Sequence, residues 1–444
     1  MSRGDGVEAA QPGGTGGGEQ RAGLTTAYRR VLATPGALRF SATGLVARLP
    51  ISMLGLGIVL LVQGASGSYG LAGSVAAAYT VANAVVAIVQ GRLLDALGQG
   101  RVLAAASVAF GVSTVALVTA VEAGWPTWTA YATAACAGAS LPQIGSAVRA
   151  RWAHVLDQPA DVQSAYALEA VVDEAVFILG PIVVTLLATT VSPAAGLGVA
   201  VVAGVGGGLA FAAQGATAPP VHARETGAPR GPRLPWRTFA PLVVVSAMLG
   251  VLFGAAEVTT VAFAEEQGSQ AWAGLLLALW ALGSLVSGVV TGALTWRRGP
   301  ASRLRWGAAL MALAMAPLAL VGSVPVMGAL LLVGGGTIAP TLIATVSLTE
   351  QVVPRRRLTE GLAVVHTGLV AGVAPGAALS GAVVDAAGAS AAYLVSLGAG
   401  VLAALAAQAL PRQADRLPDG VAGGGDAGAP GAPGSAATAA ADSP

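Results

Sequence analysis

Residues 44–63 read GLVARLPISMLGLGIVLLVQ. Twenty helical residues at 1.5 Å each span about 30 Å, the hydrocarbon thickness of a bilayer. Arg48 stands inside this stretch, with Pro50 two residues further on. A permanent cation in oil needs an anionic partner, so the fold depends on where every other charge lies.

The chain has 444 residues, 55% of them hydrophobic and 10% charged. Soluble domains carry about a quarter charged residues, so this composition excludes a water-facing surface. Its apolar runs override a division into two or three soluble domains. Twelve windows reach crossing length: about 40–63, 69–91, 102–121, 127–148, 165–190, 193–215, 239–263, 271–295, 306–323, 325–348, 360–384 and 389–410. The expected fold is an all-α integral membrane protein. The ends, 1–38 and 411–444, are rich in Gly, Ala, Pro and Asp. They bury too little apolar surface to order and are expected to be disordered cytoplasmic tails. No apolar core precedes Phe40, which argues against a cleaved signal peptide. Cys136, the single cysteine, excludes an internal disulfide and a cysteine-based metal cluster.

The arginines set orientation. The chain has no lysine, and all 23 basic residues are arginine. With the N-terminus placed in the cytoplasm, 22 of them fall in the tails and cytoplasmic loops and none in the six opposite loops. Arg48 is the remaining one. The net charge of +2 gives no sign of nucleic-acid binding.

The chain also repeats itself. Gly138 and Pro142 in the fourth span match Gly336 and Pro340 in the tenth at an offset of 198; Gly91 matches Gly292 at 201. Gly180-Pro181 in span five has a counterpart in Ala374-Pro375 of span eleven. With an even six-plus-six division, these matches point to two related bundles, 39–215 and 239–410, joined by a polar cytoplasmic linker over 216–238.

After the second span stands GRLLDALGQGR, Gly91–Arg101. It resembles the signature loop of the major facilitator superfamily (MFS). Gly91, Asp95, Gly98 and Arg101 match; Ala96, Gln99 and Gly100 depart from it. The resemblance implies two pseudo-symmetric six-helix bundles around a cavity that opens alternately to either side, in a protein expected to be a monomer. It also implies that Gly91, Asp95, Gly98 and Arg101 form a gating loop, with glycines for the turn and Asp95 capping a helix N-terminus or pairing with arginine. The second-half copy, GALTWRRGP, has Trp296 where Asp95 stands. Span four lacks the mid-helix arginine usual in proton-linked drug exporters of the family.

Arg48 lies eight residues beyond Phe40, and Asp173 eight beyond Ala165, so both sit about 12 Å into the bilayer. Glu169 and Asp173 share a helix face at i, i+4, while Glu174 points about 100° away. Each lone charge would cost at least about 3 kcal/mol in the membrane centre. Arg48 is therefore expected to pair with Asp173, with Glu169 or Glu174 as second partner, either as a structural bridge or as part of transport. Three carboxylates against one arginine suggest a proton-carrying acid. Further candidates for substrate or proton contact are Glu257 in span seven, Gln143 in span four and His366 in span eleven; Tyr79, Asn83 and Trp280 could touch a ligand. Pro142 and Pro340 each remove a mid-helix hydrogen bond and are expected to bend their helices. Trp125 and Trp128 look like interfacial anchors.

Without a Walker loop, ATP is not the expected fuel. No cofactor, metal site or enzymatic set is expected. The expected function is secondary active transport of a small organic solute by alternating access, as proton-coupled efflux, with both termini cytoplasmic in the inner membrane. Alternatives are an uncoupled or importing permease and, in another class, a non-transporting membrane sensor or integral-membrane enzyme.

Overall fold

The computed structural model describes residues 28–221, 234–293, 299–354 and 357–411. The arginines at 3, 21, 224, 230, 233, 297, 298, 355, 356, 412 and 416, together with Trp296, lie outside them. Among the described residues the chain is helical, without a strand.

Ten helical stretches are long and apolar enough to cross a membrane. Two more crossings complete the set. One is the fourth helix, whose two pieces are each too short alone; the other comes from the 48-residue stretch Gly361–Gln408, which turns back at Gly388. The order is α1 (Ala37–Ser66), α2 (Tyr69–Leu97), α3 (Gln99–Glu122), α4 (Thr127–Ser140 and Ile144–Val155), α5 (Pro159–Thr190) and α6 (Ala195–Val202, a π turn Ala203–Gly207, then Gly208–Ala212). The second half has α7 (Trp236–Glu266), α8 (Ala271–Ala293), α9 (Pro300–Met315 with the 3-10 turn Ala316–Leu320), α10 (Val324–Gly335 and Ile338–Val352), and α11 and α12, which divide Leu358–Gln408 at Gly388. Gly388 has φ 82° and ψ 174°, a backbone that a side chain would strain. Glu266 Oε1 accepts from the Ala389 N–H at 2.8 Å and so caps the start of α12. The halves begin from one face, called here the arginine face; the opposite one is the far face.

Residues 28–38, expected to be disordered, are ordered. A helical turn covers 28–32, and Val31 is buried in a cluster with Phe40, Val148 and Trp152. That apolar anchor is what a composition average over the tail hides.

The expected bend of α4 is a full break at Leu141–Gln143, around Pro142. A break frees carbonyls that lipid cannot satisfy. Gln90 on α2 supplies the missing donor: its Nε2 reaches the carbonyls of Ala139 at 2.9 Å and Leu141 at 3.0 Å. Gln143 Nε2 donates to Asn83 Oδ1 at 3.1 Å from the same break. Replacing Gln90 by Leu strands these two carbonyls; at about 1–3 kcal/mol for an unsatisfied buried group, the variant should melt well below the parent in detergent. An unchanged melting temperature would show that the break needs no donor. In α10 the interruption falls at Gly336–Thr337. Pro340 sits four residues after Gly336, so its ring opposes the carbonyl at that point.

The halves meet in the far-face region. Gly73 of α2 lies so close to α11 that a Cβ there would be 2.3 Å from the Ala377 carbonyl oxygen, and a Cβ on Gly381 would be 2.2 Å from that of Tyr69. Gly274 of α8 is set against Pro181 and Thr185 of α5 in the same way. Glycines here let two bundles touch backbone to backbone. Trp125 and Trp128 are exposed at the far-face end of α3 and α4, as interfacial anchors would be.

Candidate functional site: a charge cluster and a closed far face

Arg48 has all three of its nitrogens engaged. Nε donates to the Gly44 carbonyl at 3.0 Å, NH2 to Glu169 Oε2 at 2.5 Å and NH1 to Asp173 Oδ1 at 2.7 Å. Helix α5 presents both acids on one face, and α1 and α5 pack closely enough that a Cβ on Gly180 would collide with Ser52. Ser52 Oγ also donates to the Val176 carbonyl of α5 at 2.8 Å. Glu169 is fully buried, and its Oε1 accepts from Ser41 Oγ at 2.9 Å and Trp152 Nε1 at 2.8 Å. The carboxylate therefore accepts three hydrogen bonds, one from a cation and two from neutral donors, as burial of a charge requires.

One member was not foreseen. Arg149 reaches Asp173 Oδ2 at 2.6 Å while NH1 holds the Gly145 carbonyl at 3.2 Å. Its position at the end of a span reads as an ordinary cytoplasmic arginine, and only the chain path after the Pro142 break turns it inward. The expectation of three carboxylates against one arginine is thus corrected to three against two. Asp173 bridges both cations and is 30% exposed, Arg149 38%, whereas Arg48 and Glu169 are sealed. Glu174 stands beside the cluster, half-buried, with no hydrogen bond or ion pair to a described residue. The sum of the five groups is one negative charge.

The other candidates are dispersed. Glu257 lies on α7 at the seam between the halves, opposite Gly55 of α1. His366 is exposed on α11, apart from the cluster. In the loop after α2, Gly98 has φ 87° and makes the turn. Asp95 and Arg101 are exposed and bond to no described residue, and nothing lies within 4 Å of where a Cβ on Gly91 would be. Among the described residues this loop therefore makes no side-chain bond from Asp95 or Arg101 to another helix. Gln99, read in the sequence as a departure from a basic position, has its own task. Its Oε1 accepts from the buried Arg151 Nε at 2.9 Å; Arg151 also donates to Thr217 Oγ1 and the Phe211 carbonyl, and stacks 3.8 Å over the Phe211 ring.

The far face is tied by two carboxylates that the sequence did not single out. Asp385, at the end of α11, accepts from Ser68 Oγ at 2.6 Å, Tyr69 N at 2.7 Å and Gly70 N at 2.8 Å, so it caps the N-terminus of α2 across the seam. Glu265, at the end of α7, accepts from Gln63 Nε2 at 3.0 Å and Gln270 Nε2 at 3.2 Å, and from the Tyr69 hydroxyl. All three donors face Asp385 oxygens, an arrangement that suits a carboxylate. Asp385→Asn should loosen the far gate by about 1–2 kcal/mol. The readout is labelling of a cysteine placed at Ala377, buried against Gly73 at the seam, on a Cys136→Ser background, expected to rise roughly five- to thirtyfold; unchanged labelling would show that this cap does not hold the gate.

Helices packed as two seamed bundles, with compensated charges inside the membrane, define a multi-pass membrane transporter. Residues 40–349, 310 of the 444, match the Major Facilitator Superfamily, and the chain belongs to it. Among solved structures, the chain is similar to the nucleoside transporter NupG (TM-score 0.70, 13% identity, 84% of this chain and 99% of that one). It is also similar to the POT family transporter PepTSo (0.68, 9%, 86% and 99%) and the human organic anion transporter MFSD10 (0.59, 17%, 84% and 100%). At these identities the likeness shows the fold alone. A search of curated sequences finds no match.

Proposed function

We propose that the protein is a secondary active transporter of the inner membrane, with cytoplasmic termini, that exports a small organic solute against proton entry. One observation carries the reading: the halves are bonded and packed at the far face, while Asp95 and Arg101 on the arginine face bond to no described residue. That is one of the two states alternating access needs. The arginine face is then the cytoplasmic one, by the positive-inside distribution. Coupling is supported by the five-group cluster. Arg48 and Arg149 leave one of the charges on Glu169, Asp173 and Glu174 uncompensated, and a single proton would neutralise it. Asp173 is the member reachable from water, and Glu174 adjoins it.

The test is transport in proteoliposomes under an imposed pH gradient, screened over candidate solutes, with Glu174→Gln alongside. Accumulation should need the gradient in the parent, and the variant should keep downhill exchange but lose accumulation. Accumulation that survives collapse of the gradient would remove proton coupling and favour an uncoupled permease; accumulation in the inverse gradient sense would favour import.

A further inference from the structure

Three polar groups at the seam have no partner among the described residues. Glu257 makes no hydrogen bond or ion pair with a described residue, and it lies so near Gly55 of α1 that a Cβ there would be 2.7 Å from its Oε1. The Tyr79 hydroxyl and the Trp280 Nε1–H are both buried and unbonded. Tyr79 stands on α2, which touches α7 in this arrangement. Trp280 packs edge-on against Phe253, 5.4 Å between centroids, and Phe253 stands one turn before Glu257 on α7.

Tyr79 and Trp280 are pseudo-equivalent. They are 201 residues apart, the offset that relates Gly91 to Gly292. Each sets its backbone carbonyl against a glycine of the broken helix of its own half: a Cβ on Gly138 would be 2.0 Å from the Tyr79 oxygen, and one on Gly335 2.0 Å from the Trp280 oxygen. Two close glycine contacts thus position two aromatic residues whose polar heads bond to no described residue. Buried polar groups in native proteins are normally paired, so three orphans around one seam point to a missing ligand.

Charge selects its class. Arg48 and Arg149 are already neutralised by Glu169 and Asp173. Glu257 at the seam and Glu174 beside the cluster are carboxylates that bond to no described residue. No described arginine pairs with Glu257, and a carboxylate beside an aromatic wall suits an ammonium ion, by direct charge and by cation–π attraction. We propose that Glu257, with Tyr79, Phe253 and Trp280, forms the solute site, and that the solute is an organic cation carrying a hydrogen-bond acceptor for Trp280 Nε1–H or the Tyr79 hydroxyl. This rests on the transporter reading above but does not require proton coupling.

The test is equilibrium binding to the purified full-length chain, with no gradient present. Two cation–neutral pairs serve as probes, each member carrying a methoxy oxygen as the acceptor: 4-methoxyphenethylammonium against 4-methoxyphenethyl alcohol, and N-methyl-6-methoxyquinolinium against 6-methoxyquinoline, all at pH 8. At least one cation should bind at least tenfold more tightly than its neutral counterpart, and Glu257→Gln should bring that ratio close to one at an unchanged melting temperature. If Glu257→Gln fails to fold, Gly55→Ala keeps the carboxylate but fills the space beside it, and should cost the same preference. Cations binding no better than the neutral probes in both pairs overturns the proposal, as does a preference that survives the folded variants. Either failure leaves the gradient assay, and so the transporter reading, standing.

Discussion

Replacing Arg48 by Met should leave little folded monomer in detergent. Among the described residues the guanidinium is the only cation on Glu169, whose side chain is fully buried. Removing one partner of such a pair costs about 3–5 kcal/mol, because the other is left charged without a counterion. That is a large share of the 5–15 kcal/mol that holds a typical domain together. The effect should be recoverable. Glu169→Gln keeps an oxygen for Ser41 Oγ and Trp152 Nε1 but carries no charge, so Arg48→Met with Glu169→Gln should restore most of the folded yield, leaving Arg149 to hold Asp173. Recovery of folding without recovery of transport would assign the cluster to coupling as well as to assembly. A single Arg48→Met variant as stable as the parent would show that the buried pair does not hold α1 to α5.

The second large effect is expected at Gly73. Its α-carbon faces the Ala377 carbonyl so closely that any side chain must push the halves apart: a Cβ would sit 2.3 Å from that oxygen. The obstacle is backbone, not a flexible side chain, so it cannot step aside. Gly73→Val should leave each six-helix bundle folded but forbid the far-face contact, trapping the transporter open to that face. The parent melting temperature should be nearly kept while solute movement across the bilayer falls at least a hundredfold, about 2.7 kcal/mol against the closed state. Retained transport would mean that α2 and α11 do not need to touch.

Much of the architecture is legible in the sequence because lipid imposes it. Span lengths, the one-sided arginines and the superfamily loop lead to the family that residues 40–349 match. Arg48 is legible for the same reason: a cation 12 Å or so into oil needs an acid at its own depth, and the structure brings Glu169 and Asp173 to it. Other features depend on the chain path. Arg149 looks like a loop residue until the break at Leu141–Gln143 turns its helix. Gln90 looks like any polar residue near a helix end until the carbonyls it satisfies are freed 49 and 51 residues later. Asp385 meets donors 315 to 317 residues away, a pairing that no local pattern encodes. Residues 28–38 were misjudged because one buried side chain, Val31, outweighs a polar composition.

The central claim is that this arrangement is one of two states exchanged by rocking the halves. It is tested most directly by spin-label distances on a Cys136→Ser background, with one pair at Gly67 and Gln267 on the far face and another at Leu97 and Trp306 toward the arginine face. Asp385→Asn and Gly73→Val should lengthen the far-face distance and shorten the other in the same molecules. Far-face and arginine-face distances that stay fixed in both variants, or that lengthen together, would contradict it.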